Sequence, residues 1–523
     1  MGFISNNRNQ MELFGFSLDD FIPNDAKCRF IVDIVSKLDL TELYNRYSAQ
    51  GNDAFEPSAM LATWFFAYSD TITSTRKVEE KCQRDLHYMY VSANLKPDHT
   101  SLSRFRKNHL DLLADYFLQI VKMAKESGVD DFKTISIDGS KIQAASSAKN
   151  SKTSEELAAF LQKVRKDIEE YMRQCDALDE DSIDTDSLKE VQRKIEHLKE
   201  MEKTLLTRQK ELEIRKSSLK PEHCDKHKIN TIEPDARNMN KVNGNQKLPA
   251  YNTQISVTTK TQLIAANDVQ MEANDFNQLD RQHQNTESNL GSDPSRCYLF
   301  DAGYHNLDQL EYVYTNQLNV FLASPRPEKT SQQSLDEKKT FTREDFVYNK
   351  ENDCYECPAG NQLFYENDYR KGHKWFGRVY KTDACSNCHL KAKCLKPNQK
   401  KNQKRIRREH REYLAELNYD KCQTDQAKQM QKLRSTTVEP AFGNLKSNLG
   451  FRRFSLMGLE NVKGEFNLMC IAHNLNKLFL LMGSLCPTIQ KSIDYLIILC
   501  QRTMLHYLQN NFKQFIPLKA VFN

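Results

Sequence analysis

Two short apolar runs, each stopping at an aspartate, constrain this chain more than any other feature. In "ISIDGSKIQA" (residues 135–144) Ile135, Ser136 and Ile137 alternate as a strand should. Asp138 stands where that strand is expected to run out, with Gly139 to turn the chain. "CYLFDAGYHN" repeats the pattern: Cys297 to Phe300 form an apolar strand, Asp301 closes it, and Gly303 makes the turn. A single strand-end aspartate is a common turn residue. Two of them can face one crevice, because ligands in open α/β sheets gather beyond the carboxyl ends of strands. The surrounding stretches agree with such a sheet. "YNTQISVTTK" and "QLIAANDVQ" read as a hairpin, "LDQLEYVYTNQ" as a helix and "LNVFLASP" as a further strand. Strands alternating with helices predict a mixed α/β sheet.

At 523 residues the chain can hold several domains, and 39% hydrophobic residues make it globular rather than disordered. A net charge of +5 is small for this length, so local clustering carries the electrostatic information. No run reaches the roughly 18 apolar residues of a membrane helix, and "MGFISNNRNQ" lacks a basic-then-apolar signal pattern. The 14 cysteines therefore read as reduced thiols or metal ligands in an intracellular protein.

Residues 10 to about 128 read as helical, from the apolar spacing in "CRFIVDIVSKLDLTELYNRY" and "LDLLADYFLQIVKMAKESG". Pro97-Asp98 breaks the chain, and Thr100 or Ser101 is expected to cap a helix carrying Arg104, Arg106 and Lys107. That helix suits either DNA contact or a solvated basic face. Between 151 and 218 two apolar stripes run through charged helices: Leu157, Leu161, Val164, Ile168 and Tyr171, then Leu188, Val191, Ile195, Leu198, Leu205 and Leu212. Thr153/Glu156 and Ser187/Glu190 have capping-box spacing, and "DALDEDSIDTDS" suits a loop between them. An antiparallel helical hairpin is the expectation.

A phosphodiester-cutting site with two metal ions about 3.5–4 Å apart normally asks for a third carboxylate. "RSTTVEPAFGNLKSNLGFRRF" supplies Glu439, read as opening a helix whose first turn holds Pro440. Gly443, Lys446 and Gly450 follow on its face, with Phe442, Leu445 and Leu449 beside it. Arg434, Arg452 and Arg453 add phosphate-binding capacity.

"CYECPAGNQL" and "CSNCHLKAKC" contribute Cys354, Cys357, Cys385, Cys388 and Cys394. Paired C-x-x-C units suit one structural zinc, Zn2+; the bland alternative is a fold-stabilising insert of reduced thiols. "HCDKH" (His223, Cys224, His227) is a weaker metal candidate, better read as linker. "KPNQKKNQKRIRREHREY" packs Lys400, Lys401, Lys404, Arg405, Arg407, Arg408 and Arg411 into one run, which fits phosphate contact or a solvated charge run.

"IDGSKIQA", "FDAGY" and "TTVEPAFGNLK" resemble the three motifs of the DDE transposases of bacterial insertion sequences. "EPSAMLATWFFAYSDTITSTRKVEEKC" with "PDHTSLSRFR" is similar to their N-terminal helical domain, and "INTIEPDARNMNKVNGNQKLPAYNTQISV" resembles the segment before their second aspartate. The resemblance implies an RNase H-like core with Asp138, Asp301 and Glu439 as the metal-binding triad for two Mg2+ (or Mn2+) ions. Relatives with a Tyr-Arg-Glu-Lys signature place tyrosine and arginine where this chain has Lys432 and Ser435; Arg434 is one residue off and Lys446 keeps its spacing.

Five segments are expected on this reading. Residues 1–128 form an N-terminal helical DNA-binding domain. Residues 129–150 and 219–345 begin the catalytic core, interrupted by the hairpin insertion 151–218. Residues 346–412 form a cysteine-rich, basic insertion, and 413–523 complete the core with helices. The implied activity is cleavage at element ends followed by strand transfer into target DNA; the rivals are a metal nuclease without strand transfer and an inactivated DNA-binding relative. The implied partners are double-stranded DNA (terminal inverted repeats and target) and a second copy in a homodimer. No membrane is involved, and the expected location is the bacterial cytoplasm, at the nucleoid.

Overall fold

The computed structural model describes residues 2–4, 17–47, 53–181, 185–219, 224–240, 247–325, 340–371, 374–395 and 403–483. Seven helices come first: α1 (Lys27–Ser36), α2 (Thr41–Asn45), α3 (Pro57–Ser69), α4 (Thr75–Arg84), α5 (Leu86–Val91), α6 (His99–Asn108) and α7 (Leu113–Glu126). Helix α3 is buried on every side, as its unbroken apolar sequence "AMLATWFFAY" requires. The N-cap of α6 is Asp98, whose carboxylate accepts from the N–H groups of Thr100 and Ser101, so neither of those two is the cap.

The central sheet contains β1 (Thr134–Gln143), β2 (Arg237–Asn240), β3 (Lys247–Thr258), β4 (Ile264–Gln270), β5 (Cys297–Phe300) and β6 (Val320–Leu322). Its order is β6-β5-β1-β3, with β4 and β2 both pairing the far edge of β3. The three meander strands β1, β3 and β4 are antiparallel, whereas β5 and β6 run parallel to β1. Helices α10 (Leu279–Leu290) and α11 (Leu307–Thr315) precede and follow β5. Strand β1 does not stop at Asp138. It continues to Gln143, so Asp138 lies mid-strand and Gly139 is paired with Gln254 rather than turning.

Between β1 and β2 project α8 (Ser154–Asp181) and α9 (Thr185–Ser217). Ser154 bonds Glu213 and Arg165 bonds Glu202, a pairing that falls along one helix as it rises along the other, which makes them antiparallel. Leu157, Leu161, Val164 and Ile168 bury against Leu205 and Leu212. Thr153 and Glu156 form the expected reciprocal capping box. Helix α9 begins at Thr185, two residues before Ser187, and Glu190 pairs with Lys194. The connection is accordingly shorter than "DALDEDSIDTDS", most of which is helical.

A small antiparallel sheet follows: β7 (Val347–Asn349), β8 (Cys354–Glu356), β9 (Gln362–Lys371), β10 (Lys374–Lys381) and β11 (Arg405–Glu409), in that order. It has its own small core of Phe341, Phe346, Tyr355, Leu363, Tyr380 and Ile406. The chain then returns to the main sheet as α12 (Glu412–Gln423), α13 (Asp425–Gly443) and α14 (Leu459–Gly483).

Helix α14 joins the halves of the molecule. Its buried residues belong to one continuous apolar core with α1, α3, α7 and the central sheet. At Gly464 the helix passes so close to the turn at Leu110 that a Cβ would stand 2.6 Å from the Leu110 Cβ and 2.9 Å from its carbonyl oxygen. Among the described residues no helix is long and apolar enough to cross a membrane.

Candidate active site and cysteine cluster

The register of β1 and β5 brings the two aspartates level. Thr134 pairs with Cys297, Ile135 with Tyr298 and Ser136 with Leu299. Two residues further on, the same offset (301 − 138 = 297 − 134) matches Asp138 with Asp301. Adjacent strands lie about 4.8 Å apart. Alternation puts both side chains on the face of Ser136 and Leu299, the face that α13 covers. Leu299 packs against Ala427 and Leu433 of that helix, and Ser136 donates to the Arg434 carbonyl.

Helix α13 sets the rest of the site. Gln431 donates its amide to the carbonyls of Phe300 and Phe321, capping the ends of β5 and β6. Arg434 Nη1 reaches Asp138 Oδ2 at 3.4 Å. The sequence reading put the start of a helix at Glu439. Instead α13 has already run for fourteen residues from its Thr424 cap, and Pro440 sits inside its last turns. A favourable cap and a run of good helix formers outweigh the roughly 3 kcal/mol that an interior proline costs. The helix then widens into a π-turn over Asn444–Asn448, where the Leu449 N–H donates to the Asn444 carbonyl. Such turns recur at functional positions. This one carries Lys446, whose Nζ donates to Ser140 Oγ at 2.5 Å and to the Lys141 carbonyl at 2.8 Å. Gly450, with φ +73°, lies past the helix in a left-handed turn and does not share the Glu439 face.

Burial pushes the Asp138 carboxyl up to about 7, reinforced by Asp301 and opposed by Arg434. Asp301 is raised too, chiefly by burial; the Gly303 N–H, which it accepts at 2.8 Å, and Arg434 pull it back. Burial lowers the Lys446 ammonium to about 8, against the attraction of Asp138. Glu439 is exposed, between Arg434 and Lys446 on the same helix. Among the described residues no three His, Cys, Asp or Glu side chains stand together as a preformed metal-holding group.

Asp275, in "ANDFNQL", is a residue that the sequence analysis does not single out. Its carboxylate lies against Gly139 on the opposite face of β1, where a Cβ on that glycine would come within 2.3 Å of Oδ1. Asp275 Oδ1 accepts from Asn252 at 2.8 Å and Gln254 at 2.5 Å, and Gln254 accepts in turn from the Tyr304 hydroxyl, in the turn after Asp301. This explains Gly139: the space its side chain would need is taken by that carboxylate and the Gln254 amide.

Other predicted contacts fall elsewhere. Arg104 is exposed on α6. Arg106 is 9% exposed, stacks on Trp64 at 4.6 Å, and donates to the Tyr68 hydroxyl and the Thr73 carbonyl, so it braces the helical core. Arg452 and Arg453 are exposed, and their guanidinium groups also tie the chain after the π-turn to the Lys446, Ala144 and Ala145 carbonyls. The basic run is an edge strand rather than a solvated block. Arg405 pairs with Glu366, Arg408 grips Glu416 and lies 3.7 Å from the Tyr348 ring, and Lys404 donates to the Cys394 carbonyl. Arg407 is exposed and stacked on Tyr369. Lys400, Lys401 and His223 lie outside the described residues.

The described cysteines are free thiols. Cys357, Cys385, Cys388 and Cys394 line one cavity. Cys354 does not; it is buried in β8, opposite Asn349. Cys224 and His227 are partly buried beside the base of the hairpin, where Cys224 Sγ donates to the Lys216 carbonyl.

Two family profiles match the chain. A Transposase domain (DUF772) covers residues 16–108, and a Transposase DDE domain covers residues 356–479. The second includes Glu439 and Lys446, whereas Asp138 and Asp301 fall between the two matches. No curated protein matches the chain. Both profiles, in chain order around a mixed α/β sheet, indicate an insertion-sequence DDE transposase.

Proposed function

We propose that the protein binds the terminal inverted repeats of its element as a homodimer, cleaves phosphodiester bonds there, and joins the freed 3′ hydroxyl to target DNA. The observation that carries this reading is the level placement of Asp138 and Asp301 on adjacent parallel strands under a helix that brings Arg434 and Lys446 to the same face. The order of the five principal strands, an antiparallel meander of three followed by two parallel strands, supports an RNase H-like core.

The residues present fit a divalent cation. Two partly buried carboxylates stand side by side with one guanidinium against Asp138, and their raised proton affinity expresses the missing positive charge. Asp138 and Asp301, with Glu439 from α13, would hold Mg2+ or Mn2+ ions, which when bound activate the attacking oxygen and stabilise the leaving one. Arg434 balances the carboxylates, and Lys446, already partly desolvated, is placed to take a DNA phosphate. Arg104, Arg407, Arg452 and Arg453 are the exposed cations offered to the DNA backbone.

The test is cleavage of a duplex carrying the flanking inverted repeats, in Mg2+ or Mn2+. Asp138→Asn, Asp301→Asn and Glu439→Gln should each reduce cleavage to background while retaining end binding in a mobility-shift assay. Normal cleavage by any of these variants removes that residue from the triad.

A further inference from the structure

The small sheet poses a stability problem. The segment from Val347 to Glu409 buries only a few large side chains, and between Thr382 and Lys404 its described backbone holds just a short 3-10 turn and one helical turn. A domain of this size normally needs a staple. Its cysteines are free, so no disulfide supplies one.

Three separate stretches bring thiols to one cavity. Cys357 begins a tight turn in which the Gly360 N–H donates to the Cys357 carbonyl, at 2.8 Å, with Gly360 at φ +75°. Cys385 and Cys388 lie in and just after the 3-10 turn Asp383–Asn387, and Cys394 ends the helical turn Lys391–Cys394. All four line the cavity, together with Lys391 and Lys404. We propose that Cys357, Cys385, Cys388 and Cys394 bind one structural zinc ion, and that Cys354 is not a ligand.

Thiolate chemistry selects zinc over the hard cations of the carboxylate site. Binding Zn2+ releases the thiol protons to the buffer and leaves a tetrathiolate centre of charge −2, which Lys391 and Lys404 are placed to offset. Among the described residues no three ligand side chains stand together as a preformed group, so zinc binding would require the four thiols to close in from the cavity wall. Lys404 thereby acquires a role inside the small sheet in place of the DNA contact expected from its sequence. The spacing alone admitted Cys354 with Cys357 as a knuckle; Cys354 is buried within β8, whereas Cys357 stands at the start of the following turn and lines the cavity.

The experiment uses the full chain, purified reduced and without chelators, and measures zinc by atomic emission. About one zinc per chain is expected. Cys385→Ser and Cys394→Ser should each lose it, and Cys354→Ser should keep it. Because a ligand variant can fail to fold, Co2+ is also exchanged into the unaltered protein, where intense thiolate-to-cobalt absorption and tetrahedral d–d bands report a thiolate-rich site. Zinc absent from the native chain overturns the proposal. So does zinc kept by Cys394→Ser, or lost from a folded Cys354→Ser protein.

Discussion

Arg434 Nη1 stands 3.4 Å from Asp138 Oδ2, joining a helix and a strand that are 296 residues apart in the chain. That contact is the cation nearest to a carboxyl which burial and Asp301 push up to about 7. An acid whose folded pKa is raised stabilises the fold fully below its unfolded value, near 3.8, and loses that contribution as pH rises through about 7. Metal-free protein should therefore lose stability between about pH 4 and 7 in chelator-containing denaturation series. Asp138→Asn should remove most of that dependence, and Arg434→Ala should steepen it. A flat profile in the unaltered protein would show that Asp138 is not held protonated.

Gly139 and Asp275 make a second test of the same strand. A methyl group at position 139 would stand 2.1 Å from the Gln254 amide nitrogen and 2.3 Å from Asp275 Oδ1. Gly139→Ala should cost about 1–3 kcal/mol in a chemical denaturation experiment, the usual range for overpacking. Combining it with Asp275→Ala, which vacates the space, should recover part of that loss. Additive losses would mean that the two positions do not share the site.

Arg106 and Arg104, two residues apart on α6, should behave oppositely. Arg106→Ala removes a buried stack on Trp64 and two hydrogen bonds, and should destabilise the protein by about 2–4 kcal/mol. Arg104→Ala should leave stability within about 0.5 kcal/mol and weaken DNA binding instead. Equal effects on affinity at both positions would contradict the burial of Arg106.

The basic strand β11 divides in the same way. Arg407→Gln should lower the slope of log affinity against log salt by about 0.9, the value of one duplex phosphate contact. Arg408→Gln frees Glu416 from its bidentate partner and should lower the melting temperature of the protein, with a smaller effect on the salt slope.

Residues 155–215, replaced by a short Gly/Ser linker, should leave the central sheet folded by circular dichroism and hydrogen exchange, because the hairpin has its own apolar seam. Its base is fastened to the next segment, through Arg208 to the Thr231 carbonyl, Arg215 to the Pro234 carbonyl and Lys228 to Glu156. Faster exchange should therefore be confined to residues near 228–236. Global unfolding would place the hairpin within the core.

Periodicity and local composition determined a great deal: the helical N-terminus, the β3–β4 hairpin, β5 followed by its turn and α11, the paired apolar stripes of α8 and α9, and the Thr153/Glu156 cap. Each of these depends on neighbours a few residues away, and that information is local. Both strand aspartates were legible for the same reason, since an apolar run interrupted by a carboxylate is visible without a partner strand. Tertiary structure decided the rest. Asp138 lies mid-strand because β3 pairs with β1 all the way to Gln143, and only the β1–β5 register makes 138 and 301 level. Pro440 is interior because α13 was nucleated a full helix earlier at Thr424. Arg106 is a core brace and Arg408 a clasp because Trp64, Tyr348 and Glu416 arrive from elsewhere in the chain. The meeting of Asp275 with Gly139, and the placement of Cys394 but not Cys354 in the cavity wall, depend on contacts across strands and turns. A lone carboxylate or thiol in sequence carries no record of which surface it will face once distant segments pack.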